Sequence, residues 1–241
     1  MAKGDKSDRN ILEQNLSDPS RIIWPENPEE LTEARNKILN LVPAKQKTLL
    51  DLSLLTHILV NHHSSLSSDL FSWAQKNLNP ASLLSGIQWN EIVKCRWQAL
   101  PIAVIQGEKS STLFWVVGCI SPANAVSAKF PTWSEKFLDE SASKGIEETL
   151  SIVRAQYPAG DSCALYLYPI ISSSETHPPV RERSLCLPIA LGAIAAITGQ
   201  TMFPGLLATG DVCVKGDQVQ IGAVGWVLEK AKLALNENFS L

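Results

Sequence analysis

The sequence predicts an α+β protein, with a small all-helical unit over residues 21–88 in front of a mixed domain over 89–241. Three observations carry this. Before residue 95 the apolar residues recur only at helical spacing, and no strand pattern occurs. Ala99 to Ile105 and Thr112 to Ile120 are then apolar, with β-branched and aromatic residues, and flank Gly107 to Ser111 as the arms of a hairpin would. Beyond them, amphipathic helical stretches are interleaved with short apolar strands.

Taken in order, residues 1–20 are polar and are expected to be a flexible N-terminus. A helix starts at Pro28: Glu29, Glu30 and Glu33 suit the positive end of its dipole, Leu31, Ala34, Ile38 and Leu41 form its apolar face, and Pro43 ends it. Ala44 to Val60 reads as a second, leucine-rich helix. Ser68-Asp69 opens a third through Leu78, and Ala81 to Val93 holds one or two short ones. After the hairpin, Ala125 to Phe130 reads as a short strand. Ser134 to Tyr157 is amphipathic, with Leu138, Ala142, Ile146, Leu150 and Val153 on one face. Cys163 to Ile171 is a strand covered on both faces, and a polar loop follows to Arg183. Leu185 to Thr198 is a buried helix closed by Gly199. Leu206 to Val214 and Val219 to Val224 are strands joined at Gly216-Asp217, and Val227 to Asn236 is the last helix.

Composition excludes several function classes. With 45% hydrophobic and 19% charged residues, the chain is neither disordered nor a fibre. A net charge of -3 with no basic cluster argues against a nucleic-acid partner. Five cysteines at wide spacing, without a CxxC pair, fit a reducing cytoplasm and predict neither a disulfide framework nor a metal site. The N-terminus lacks the apolar core of a signal peptide, and the longest apolar stretch, Leu185 to Thr198, is too short to cross a membrane. Neither Gly4-Asp5-Lys6-Ser7 nor Gly107-Glu108-Lys109-Ser110 is a phosphate-binding loop, so any ATPase would act in trans; no cofactor is expected.

Two residues invite chemistry. Ser184 lies just before a helix, beside unpaired backbone N–H groups that could hold an oxyanion. Its plainer role would be a helix N-cap. Lys230 could serve as a base if apolar neighbours such as Trp226, Val227 and Leu228 kept its amine neutral; its plainer role would be a solvated surface charge. Cys186 reads better as a buried hydrophobe than as a nucleophile, and His177 sits in a polar loop beside Pro178-Pro179. His57, His62 and His63 lie in or just after the leucine-rich helix, but the adjacent His62 and His63 do not share a helix face, so no metal site is expected there.

Several segments together resemble the Lon-type proteolytic domain, over about residues 95–241. Asp139-Glu140-Ser141-Ala142 resembles the family's Glu-Ser-Ala helix. Ile194 to Gly199 resembles the end of its nucleophile helix, which puts Ser184 at the nucleophile. Ala208-Thr209-Gly210-Asp211-Val212 resembles its Thr-Gly-Glu strand, and Ala223-Val224-Gly225-Trp226-Val227-Leu228-Glu229-Lys230 resembles the segment carrying its lysine. At the nucleophile the family motif is Pro-Ser-Ala-Gly, whereas this chain reads Arg183-Ser184-Leu185-Cys186. The resemblance implies a serine–lysine peptidase acting on protein or peptide substrates. Ser184 would be its nucleophile, Lys230 its general base, Thr209 the support of the lysine, and the N–H groups of Leu185 and Cys186 the oxyanion donors. The competing class is a Lon-like domain without catalysis, serving as a scaffold or interaction module. The family domain continues with a strand and helix after the lysine helix, so the sheet edge is expected to be covered by a partner chain (in a homo-oligomer, a second copy), by the helical unit or by residues lost from a longer precursor.

Overall fold

The computed structural model describes residues 24–41, 47–61, 68–83, 88–106, 109–120, 128–129, 138–157, 164–170, 183–202 and 206–236. The expected mobile N-terminus, Cys163, His62, His63 and His177 lie outside these. The chain is of mixed helix and strand, and its described residues divide into two compact units, 24–89 with Ile170 and 90–169 with 183–236.

The first unit is helical. Helix α1 (Pro28–Leu41) starts where the Asn27 side chain accepts from the Glu29 N–H at 2.8 Å. Helices α2 (Lys47–Asn61) and α3 (Ser68–Leu78) follow, then the single turn α4 (Pro80–Leu83). Leu31, Leu54, Leu55, Ile58 and Leu70 are fully buried between them, each set at helical spacing. Two polar contacts fix the packing. Arg35 grips both oxygens of Asp51, at 2.7 and 2.8 Å, and joins α1 to α2. Trp73 Nε1 donates to Thr32 Oγ1 at 2.7 Å and joins α3 to α1.

The second unit opens within the short α5 (Trp89–Ile92). Strands β1 (Arg96–Gln106) and β2 (Lys109–Ile120) pair antiparallel from Arg96↔Cys119 to Gln106↔Lys109. β3 (Ala128–Lys129) pairs parallel with β4 (Ala164–Ile170), giving the sheet order β1-β2-β4-β3. Between β3 and β4 in sequence runs α6 (Glu140–Gln156), capped by Asp139, whose side chain accepts from the Ala142 N–H. Helix α7 (Cys186–Thr198) packs on β1, β2 and α6. It comes unusually close to β1 because Gly192 has no side chain: a Cβ there would meet Leu100 at 2.5 Å. A separate ribbon, β5 (Asp211–Lys215) with β6 (Gln218–Gly222), leads to α8 (Val227–Asn236), which packs on β1 and β2.

One expected strand is shortened. The apolar run from Leu206 does not pair as a strand until Asp211, because Gly210 spends its own N–H and C=O on the turn before α7. Thr209 therefore sits in irregular chain rather than on a strand.

Candidate active site

Four segments that are distant in sequence meet around Ser184. Residues 183–185 form the turn into α7, and Leu185 is the helix N-cap, with no side-chain capping bond. Ser184 thus lies one residue outside the cap, and the plainer role expected of it is not filled by its side chain. A pair of backbone bonds clamps this turn to the chain before β5. The Gly210 N–H donates to the Ser184 carbonyl at 2.9 Å, and the Leu187 N–H donates to the Gly210 carbonyl at 2.9 Å. This places Thr209 against the serine: Thr209 Oγ1 donates to the Ser184 carbonyl at 3.4 Å, long for a hydroxyl donor and correspondingly weak.

Lys230 arrives from the other side. It is 5% exposed, so the solvated reading does not hold. Its Nζ donates to Thr209 Oγ1 at 3.0 Å. The Thr209 hydroxyl donates to the Ser184 carbonyl and accepts from Lys230 Nζ, so this one side chain links the serine's backbone to the lysine.

The shielding of Lys230 differs from expectation. Trp226, Val227 and Leu228 are 57%, 58% and 63% exposed and do not cover it. Lys230 shares a helix face with Leu233 and Ala234, three and four residues on, and these two are buried against Ala103 of β1 and Leu207. The packing of α8 on the sheet therefore desolvates the lysine. Trp226 has another peculiarity: its φ of 58° lies in the left-handed region, rare for a bulky side chain. From there α8 begins, the Lys230 N–H closing the first turn onto the Trp226 carbonyl at 3.0 Å.

A second correction concerns the oxyanion donors. The Cys186 N–H is committed to the Arg183 carbonyl at 3.0 Å, so of the two expected donors it is not free in this arrangement. Its bond is of the tight three-residue type, formed because the turn closes before the helix proper begins. Nor is Cys186 a nucleophile. It is fully buried, and burial pushes its thiol above the ordinary cysteine range, against smaller opposing effects from the Thr149 hydroxyl and Arg183.

Sequence reasoning missed the polar cluster behind the serine. Arg183 Nε donates to Asp211 Oδ1 at 2.8 Å, one terminal nitrogen pairs with Glu148 Oε2, and the other donates to the Val212 carbonyl at 3.2 Å. The bond to Asp211 raises the affinity of the guanidinium for its proton still further. The available signal was Gly145, a glycine inside an otherwise good helix. A Cβ there would meet Cys186 Sγ at 3.0 Å and Arg183 Cγ at 3.1 Å.

Among the described residues no group of histidine, cysteine and carboxylate side chains could hold a metal ion, and no helix is long and apolar enough to cross a membrane. No protein-family model matches the chain, and a search of curated proteins finds no relative.

Proposed function

We propose that this chain is a serine–lysine peptidase built on a Lon-like domain. The observation that carries the reading is the Lys230–Thr209–Ser184 chain of hydrogen bonds, which joins three residues named beforehand from separate segments. In the proposed reaction Lys230, acting as its free amine, takes the proton of Ser184 Oγ. The oxygen attacks the scissile carbonyl carbon, and the negative charge passes to the carbonyl oxygen, held by the Leu185 N–H. Lys230 then gives its proton to the leaving amine as the C–N bond breaks, leaving an ester on Ser184. Water, deprotonated by the same lysine, hydrolyses the ester and restores the serine.

Thr209 orients the amine, because a lysine stem alone would leave its lone pair unaimed. The substrate is protein or peptide, in a reducing cytoplasm, and a partner chain or ATPase acting in trans would unfold and deliver it. Cleavage of an unfolded, fluorescently labelled protein tests this. Wild type should release fragments, Ser184→Ala should not, and equal rates for the two would refute the reading.

The scaffold reading has one observation in its favour, the commitment of the Cys186 N–H to Arg183. It predicts no cleavage under any condition. The peptidase reading requires that substrate binding release this N–H or that Leu185 suffice as donor.

A further inference from the structure

The side chain preceding the serine does more than fill space. Arg183 contacts three acceptors on two elements: Asp211 Oδ1 and the Val212 carbonyl on β5, and Glu148 Oε2 on α6. Its stem runs over Gly145, where any larger residue would displace it. Asp211 directly follows Gly210, whose N–H and C=O hold the Ser184 carbonyl and the Leu187 N–H. The turn is therefore pinned twice to one stretch of chain, by backbone bonds at Gly210 and by an ion pair at Asp211. Thr209 and, through it, Lys230 hang on that same stretch. Arg183 and Asp211 are both only about a quarter exposed, so their attraction is less screened than that of a surface pair.

We propose that Arg183, through Asp211 and secondarily Glu148, is a positioning residue that sets the Ser184 turn against Thr209 and so aligns the serine with Lys230; this rests on the serine–lysine reading above. A planar guanidinium is needed, because only its fork reaches a carboxylate, a second carboxylate and a carbonyl together. A lysine, as a point charge, can satisfy one carboxylate. Glu148 is the weaker partner, its side chain being 45% exposed.

The test has two arms on the full chain. In the first, hydrogen exchange is followed at the Gly210 and Leu187 amides in wild type, Arg183→Gln, Arg183→Lys and Glu148→Gln. Arg183→Gln should exchange at least about tenfold faster at both amides, the loss of a charged hydrogen bond being worth that much or more. Arg183→Lys should fall between, and Glu148→Gln should change little. In the second arm a fluorophosphonate is used to label Ser184, and turnover of a peptide substrate is compared. Arg183→Gln should label about tenfold more slowly and lose kcat with KM unchanged, because Arg183 touches no substrate. If Arg183→Gln does not fold, Asp211→Asn keeps the shape and takes its place. Unchanged exchange at both amides overturns the proposal, as does a labelled wild type whose Arg183→Gln variant labels at the same rate. A wild type that takes no label sinks the serine–lysine reading instead, and the exchange arm alone then decides whether Arg183 holds the turn.

Discussion

Replacing Lys230 by methionine should abolish activity without costing stability, whereas alanine should cost both. The lysine is 5% exposed and its stem lies on the α8 face packed against the sheet. Truncation to alanine removes three methylenes, worth about 2.4 kcal/mol at ~0.8 kcal/mol each, before any cavity contribution. Methionine keeps that volume. It gives up the amine's polar contacts, of which the hydrogen bond to Thr209 contributes about 1 kcal/mol, and removes a buried amine whose desolvation costs about 1–3 kcal/mol. The two nearly cancel, so Lys230→Met should lie within about 1 kcal/mol of wild type or above it, and Lys230→Ala about 2–4 kcal/mol below. For a chain of this size each kcal/mol moves Tm by roughly 2–4 °C, so thermal unfolding by circular dichroism separates the two variants. A methionine variant destabilised as much as the alanine one would show that the amine is structural, and the reasoning that it is retained for chemistry would fail.

Thr209→Val should keep the fold and lower the rate about tenfold, the worth of one orienting hydrogen bond, measured as kcat on a labelled peptide; an unchanged rate would remove Thr209 from the site. Cys186 should resist alkylation in the native protein at neutral pH, since burial raises its thiol and leaves little thiolate; rapid modification detected by mass would contradict this. The same shift has a stability consequence. The folded state holds the thiol proton to higher pH than the unfolded chain, so this contribution is intact below the unfolded value and is lost as pH rises beyond it. Chemical denaturation should show stability falling on the alkaline side, and less so for Cys186→Ala after correction for its cavity. Trp226→Gly should leave stability unchanged or raise it by up to about 1 kcal/mol, because relief of the left-handed backbone offsets the modest burial lost; a large drop in Tm would mean that the tryptophan packs more than its exposure suggests.

The elements were legible where a local rule settles them. Ser68–Leu78 and Val227–Asn236 are bounded as the sequence reading expected, because local sequence pattern marks both as helices. The mixed class after residue 95 was legible for the same reason. What local pattern could not supply was orientation. Trp226, Val227 and Leu228 look like a shield for Lys230 by proximity in sequence. Yet the first residues of a helix point in all directions, and only the contact of α8 with the sheet decides that Lys230 faces inward and its neighbours outward. The chain at Leu206 to Gly210 carries strand-like residues, but the backbone groups of Gly210 are claimed by Ser184 and Leu187, a long-range pairing that no window of sequence contains. The Arg183–Asp211 pair spans 28 residues and was invisible for the same reason.

The central claim is that Lys230 activates Ser184. Incubating the chain with a fluorophosphonate, digesting it and weighing the peptide that carries Ser184 tests it most directly. The dyad predicts a single adduct on Ser184 in wild type, absent in a folded Lys230→Met variant. An unmodified Ser184 in folded wild type, or an adduct that forms equally well in the methionine variant, would contradict it.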